Sequence, residues 1–391
     1  MREDLLNCNI SALQPSASMQ FMAKAKQMQA EGLDVINLAG GEPDFDTPAP
    51  VTEEACRQLK NGFTHYVAGQ GLPELQNRIA RKLREENGAV YQDSEILVTP
   101  GGKIAVYLAV RTLVNPGDAV LLLNPAWVSY APIIRSAGGV PVPVPLSYSN
   151  GYRLTREALE ANFTPNAKLL IINYPNNPTG MTLSAEEAEV LRQFLLNHPD
   201  LILLSDEVYE RITFDGFSHI SPASLPGLRE RVITVNGFSK SLAMTGWRLG
   251  YLAAPQEITA QIYKLHQHSV TCVSGFIQRA AVTALDCTGD IERMRRSYQE
   301  RRDRFFPLLN AIDGVEARVP QGAFYAWVRI SKNGMSSREL CNYLLEQAHV
   351  VGVPGDAFGA GGEQCLRFSF ATGLELLLDA AGQMKTALDK L

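Results

Sequence analysis

Short, almost wholly apolar runs recur through the middle of the chain: Ile96–Thr99, Ala119–Leu123, Val140–Val144, Leu169–Asn173, Leu201–Ser205, Val232–Asn236 and Gly250–Ala253. Stretches of helical periodicity lie between several of them, among them Ile104–Leu113 and Ala185–Leu196. The second of these opens on Ser184, with Glu187 three residues later, the reciprocal capping pattern of a helix start. A strand without polar alternation is buried on both faces, and alternating strands and helices imply crossovers between parallel neighbours. The pattern predicts an α/β fold: a mostly parallel sheet sandwiched by helices.

Beyond about residue 290 the texture changes. Ile291, Met294, Tyr298, Phe305 and Leu308 keep helical spacing on a long arginine-rich segment, and Pro307 is expected to kink it. Strands over Ala323–Ile330 and Leu366–Phe370, with helices over Ser337–Gln347 and Leu374–Leu388, read as a smaller α+β domain. The N-terminal arm, with a helix over Met19–Ala30 stopped by Gly32, is expected to pack with it. The expected division is therefore a large domain over residues 46–289 and a small domain from 1–45 and 290–391. A length of 391 residues suits two or three domains, and 46% apolar with 20% charged residues is an ordinary globular mix.

Charge and rare residues exclude several functions. Thirty-six basic against forty-one acidic residues leave a net charge of −5, without the basic excess of a nucleic-acid binder. The six cysteines form no CxxC pair and read as reduced thiols of a cytoplasmic protein. The six histidines show no metal-ligand spacing, so no metal is expected. Arg2, Glu3 and Asp4 interrupt the opening residues, which lack the apolar centre of a signal peptide, and no run approaches the ~20 apolar residues of a membrane span.

Polar residues gather where such a sheet binds ligands, beyond the carboxyl ends of its strands. Thr99-Pro100-Gly101-Gly102-Lys103 leaves a strand and opens a helix, where free N–H groups and the helix dipole attract an anion. Alone, this reads first as a tight strand-to-helix turn, and phosphate binding is the lesser reading. Asn173-Tyr174-Pro175-Asn176-Asn177-Pro178-Thr179-Gly180 also follows a strand, and its prolines and glycine set a rigid loop that offers the Asn177 amide. Asp206 ends an apolar strand, a costly place unless the carboxylate meets a cation or caps a following helix, and Tyr209 is close enough to share the site. Lys240, beside Phe238 and Ser239, has the weakly polar surroundings of a desolvated amine nucleophile, and Arg248 suits a phosphate.

Taken in order, the segments GGEPDFDTP, HYVAGQG, TPGGK, NPAWVSY, YPNNPTG, SDEVY, NGFSK, MTGWR and LRFSFA resemble those of fold-type I pyridoxal-phosphate enzymes. The resemblance is to class I aminotransferases of the bacterial aspartate aminotransferase branch, and it runs from about Pro15 to the C-terminus. It implies pyridoxal 5'-phosphate as cofactor, bound covalently by Lys240, which also carries a proton. It further implies that Asp206 keeps the pyridine nitrogen protonated, that Tyr209 and Asn177 reach the ring's 3′ oxygen, and that Trp127 stacks on the ring. Gly102, Lys103, Ser239 and Arg248 then hold the phosphate, helped by Tyr66 from a second subunit of a homodimer. Arg367 binds the substrate's α-carboxylate, with Gly41 beside it. Lys103, Ser16 and Ser18 are the expected contacts for the distal carboxylate of aspartate or glutamate.

Three positions depart from the family's pattern. Gly237 stands where other members carry a phosphate-binding serine. His268-Ser269-Val270-Thr271-Cys272-Val273 replaces a Ser/Thr-rich run ending in proline, and Gln14 stands where aspartate/prephenate enzymes carry lysine. Transamination through a ping-pong cycle is the leading expectation. A lyase or a specialised tailoring enzyme on the same fold is the alternative, since fold does not fix chemistry. A non-catalytic sensor module is disfavoured by the full set of site residues.

Overall fold

The computed structural model describes residues 7–391; the acidic and basic residues of the opening segment, Arg2, Glu3 and Asp4, lie outside the described residues. Every apolar run named above forms a strand of one seven-stranded sheet. In chain order these are β1 (Ile96–Thr99), β2 (Ala119–Asn124), β3 (Val140–Pro145), β4 (Ala167–Asn173), β5 (Ile202–Asp206), β6 (Val232–Gly237) and β7 (Gly250–Ala253). Their spatial order is β1-β7-β6-β5-β4-β2-β3, and only β7 runs against its neighbours. The other six share one direction, so Thr99, Asn124, Asn173, Asp206 and Gly237 all end at the same edge. That single edge collects the polar loops.

Helices cover both faces, as the unbroken burial of β1, β2 and β7 requires. Two of them carry the start signals read from sequence: α1 (Gly102–Leu113) begins at the double-glycine turn, and α2 (Ala185–Asn197) has both halves of the Ser184–Glu187 capping box. One edge of the sheet is β3, whose sequence is Val-Pro-Val-Pro-Val-Pro. In a parallel pair, alternate residues turn both backbone groups to one side. The Val140 and Leu146 amides bond to Asp118 and Asn124, on the β2 side. Pro141, Pro143 and Pro145 therefore face outward, where a missing N–H denies another chain its donors.

A second, four-stranded antiparallel sheet holds β8 (Val315–Ala317), β9 (Tyr325–Ile330), β10 (Val353–Pro354) and β11 (Cys365–Ser369) in the order β10-β11-β9-β8. The expected helices over Ser337–Gln347 and Leu374–Leu388 form with those bounds. The arginine-rich helix α3 (Thr288–Asn310) continues through Pro307, because Leu309 is buried beyond it and holds the last turn in place. The N-terminal helix spans Ala17–Ala30, and Ile36–Asn37 pairs in parallel with Val350–Val351, tying the arm to this part of the chain.

Candidate active site

Between the two sheets lies a cleft of about 320 Å³, and it gathers almost every residue singled out from sequence. Strand ends supply most of the wall. β5 delivers Asp206 and then Tyr209; the loop after β4 delivers Asn177; the loop after β6 delivers Ser239 and Lys240; the loop after β2 delivers Trp127. Gly102, Lys103 and Arg248 line the same space, as do Gly41, Ser16 and Ser18 from the N-terminal arm and Arg367 from β11. Tyr66 stands apart. It is 86% exposed, on a separate surface groove with Cys272 and Ser274.

Lys240 Nζ donates to the Gly41 carbonyl at 2.6 Å. Burial pushes its ammonium down to about 8; Glu42 opposes this, while Arg248 and Arg367 add to it. A lysine so placed is substantially a neutral amine near pH 8, the form that attacks a carbonyl. Asp206 is held by the Tyr130 hydroxyl at 2.7 Å and the Val208 amide at 3.2 Å. Burial nevertheless pushes its carboxyl up to about 6, the Tyr130 bond opposing. No helix follows β5, so Asp206 is not a helix cap. No cation bridges to it among the described residues, and Lys240 favours its charge only through space.

Arg367 is the converse case. One nitrogen donates to Asn177 Oδ1 at 3.1 Å and another to the Ala39 carbonyl at 2.6 Å, while buried Nε has no partner. Its guanidinium lies 4.5 Å from the Tyr325 ring centre and 5.2 Å from that of Phe358, with no carboxylate bridged to it among the described residues. A buried cation in an aromatic frame, with an unused donor, is a receptor for an anion.

The double-glycine turn is shaped by contact. Gly101 has φ +85°, and a Cβ there would sit 2.7 Å from Arg248 Nη2. A Cβ on Gly250 would meet the Gly102 amide at 2.6 Å, so β7 can lie against the turn only as glycine. The free N–H groups at the start of α1 and the Arg248 guanidinium thus face one volume, as a phosphate requires. A Cβ at Gly237 would lie 3.1 Å from the Leu249 carbonyl, which leaves little room for a serine there. Lys103 Nζ lies 4.9 Å over the Trp127 ring, and burial, then Arg248, lowers its pKa.

These groups fit a flat, phosphorylated, aldehyde-bearing pyridine: an amine near neutrality, an unpaired carboxylate, an aromatic wall and an anion cradle in one cleft. Tyr130 and Tyr325, to which the sequence pointed no role, also line the cleft. A tyrosine in a buried strand or motif needs a partner for its hydroxyl, and that was the available signal.

Known proteins resemble this chain over most of its length. Residues 33–381 match the family described as aminotransferase class I and II. An aspartate aminotransferase of Musicola paradisiaca is 43% identical over 378 residues, 95% of this chain and 94% of that protein. Aromatic-amino-acid aminotransferase 2 of Thermococcus litoralis is 42% identical, covering 92% of this chain and 93% of its own. Among solved structures, the aspartate aminotransferase of Thermus thermophilus with maleate superposes with a TM-score of 0.94 at 37% identity, covering 99% of this chain and 100% of that one.

Proposed function

The chain belongs to the class I and II aminotransferases, and from that premise we propose that it exchanges an amino group between aspartate or glutamate and a 2-oxo acid. Pyridoxal phosphate-dependent amino transfer is the activity of the enzyme. Bound, the cofactor supplies a protonated aromatic ring that takes up the electron pair left when an α-proton departs. The chain's own residues do the rest. Lys240 Nζ anchors the cofactor and, when free, takes and returns the substrate's α-proton. Asp206 holds a proton on the ring nitrogen, because a close negative charge favours the charged form. Tyr209 and Asn177 would hydrogen-bond the ring's 3′ oxygen, and Trp127 would cover the ring and keep water off it.

Gly102, Lys103 through its amide, Ser239 and Arg248 hold the phosphate. Arg367 orients the substrate by its α-carboxylate, with Gly41 and Asn177 beside it. The observation that carries this reading is the convergence of an unpaired carboxylate, an unpaired guanidinium and a depressed lysine on one cleft. The exposure of Tyr66 supports a homodimer in which this tyrosine completes the partner's phosphate site. The two sheets support a large domain over residues 46–289 and a small one from 1–45 and 290–391. Six free cysteines accord with a cytoplasmic setting, and no helix among the described residues is long and apolar enough to cross a membrane.

For the dicarboxylic donor, Lys103, Ser16 and Ser18 line the same cleft as Arg367, which supports a contact to a second carboxylate. Maleate in the Thermus thermophilus relative is itself a dicarboxylate. A charged hydrogen bond is worth about 1.5–3 kcal/mol, so Lys103→Ala is expected to cost roughly tenfold to over a hundredfold in kcat/KM for aspartate and glutamate. Alanine and aromatic donors should lose little. An equal loss for every donor would assign Lys103 to the cofactor instead, and a preference of the intact enzyme for neutral donors would overturn the dicarboxylate reading.

A further inference from the structure

Tyr325 enters the cleft from β9 and joins two of its functional groups, Tyr209 and Arg367. Its hydroxyl lies 2.7 Å from the Tyr209 hydroxyl, and neither phenol has another hydrogen-bond partner among the described residues. Its ring supports the Arg367 guanidinium at 4.5 Å. The backbone is fitted to it: a Cβ on Gly41 would lie 2.6 Å from Tyr325 Oη, so glycine there makes room for the hydroxyl. The carbonyl of that same glycine accepts from Lys240.

We propose that Tyr325 is a positioning residue for amino transfer, its ring fixing Arg367 and its hydroxyl turning the Tyr209 proton toward the cleft. This rests on the reading of Tyr209 and Arg367 given above. Two adjacent phenols have two protons, and only one can lie between their oxygens. The Gly41 backbone lies so near the Tyr325 oxygen that a Cβ there would clash with it, and Tyr209 lines the cleft together with Asp206 and Asn177. An acceptor entering that space selects the arrangement in which Tyr325 donates to Tyr209 and Tyr209 donates onward. A hydroxyl that accepts one hydrogen bond donates a stronger one. The ring's task is separate: Arg367 has aromatic faces where a buried guanidinium commonly has a carboxylate, so its charge stays free for substrate.

The two tasks separate by mutation of the holoenzyme. Tyr325→Phe keeps the ring and removes the hydroxyl. The visible absorption of the lysine-bound cofactor should then titrate with its midpoint raised by about 0.1–0.6 pH unit, the share of a charged hydrogen bond that cooperativity supplies. The turnover number should fall by up to about fivefold, with KM for the amino donor within about twofold of wild type. Tyr325→Leu removes both features and should also raise that KM by roughly thirtyfold, the worth of a desolvated cation–π contact. In a Tyr209→Phe background, adding Tyr325→Phe should move the midpoint no further. An unmoved midpoint in Tyr325→Phe, or a shift that persists without the Tyr209 hydroxyl, would overturn the proposal while leaving the Tyr209 assignment intact. An unmoved midpoint in Tyr209→Phe alone would overturn both.

Discussion

Asp206 and Glu210 leave the same strand end, four residues apart, and both carboxylates are out of solvent, yet their surroundings differ in kind. Glu210 is fully answered: Lys82 bridges to it, the Asn87 amide donates at 2.7 Å, and Lys82 also donates to Asn87 at 2.8 Å. Burial opposes its charge, but Lys82 foremost, then His219 and Arg211, hold its carboxyl down at about 2. Asp206 has two neutral donors and no bridging cation, and burial leaves its carboxyl near 6. Glu207, His219 and Glu210 even gather ligand-type atoms within 4.8 Å, but Lys82 already supplies that cluster's positive charge. A carboxylate that closes its own accounts is structural, whereas one left a charge short is waiting for a ligand.

Substitution at the two positions should have opposite consequences for activity and stability. Asp206→Ala is expected to slow turnover by at least about 10²–10³-fold, the usual loss of a preorganised electrostatic partner, with the fold intact and some cofactor still held by the phosphate contacts. Asp206→Glu should retain more activity. Glu210→Gln should do the reverse: strand Lys82 as an unpaired buried charge, cost about 3–5 kcal/mol of stability in denaturant unfolding, and leave kcat/KM near wild type in the folded fraction. If both variants lost activity and stability alike, the distinction between the two carboxylates would fall. A smaller effect is expected at Arg367, the cationic counterpart of Asp206. Arg367→Gln should raise KM for every amino donor by roughly tenfold to over a hundredfold, whatever its side chain, since the α-carboxylate is common to all. Selective loss for dicarboxylic donors would contradict that assignment.

The smallest effect is one of pH. With its carboxyl raised to about 6 in the fold against ~3.9 unfolded, Asp206 binds its proton more tightly in the native state. Stability of the cofactor-free protein must then fall as pH rises from about 4 to 6, by at most about 3 kcal/mol, and the cost stays in place above that window. Asp206→Asn does not titrate, so the wild type should lose ground to it across the window in unfolding measured without cofactor. Equal pH dependence of the two proteins would show that Asp206 is not destabilised by burial.

Much of this was legible from sequence because the central sheet is buried on both sides. Unbroken apolar runs such as Leu201–Leu204 have no reading other than an interior strand, and the functional residues stand just past their ends. Helix Ala185–Asn197 announced itself by its capping box. The two-residue strands Ile36–Asn37 and Val353–Pro354 have no period to detect and exist only through their partners. Helix Pro73–Asn87 carries its signal in Leu75, Ile79 and Leu83, diluted by the charges around them. Site residues whose meaning is long-range were the ones missed. Tyr130 meets Asp206 across 76 positions, and Tyr325 meets Tyr209 across 116. The local alternative for Asp206, a helix cap, fails for the same reason: its significance lies in the absence of a cation, which only the assembled surroundings reveal.

The central claim is that the depressed lysine and the unpaired carboxylate are two ends of one pyridoxal phosphate site. Borohydride reduction of the holoenzyme, followed by peptide mapping, tests it most directly. A single pyridoxyl group is expected on Lys240, with no covalent label and no multiple turnover in Lys240→Ala, where both the anchor and the proton carrier are gone. A pyridoxyl group found on Lys103 or any other lysine, or sustained turnover in Lys240→Ala, would contradict it.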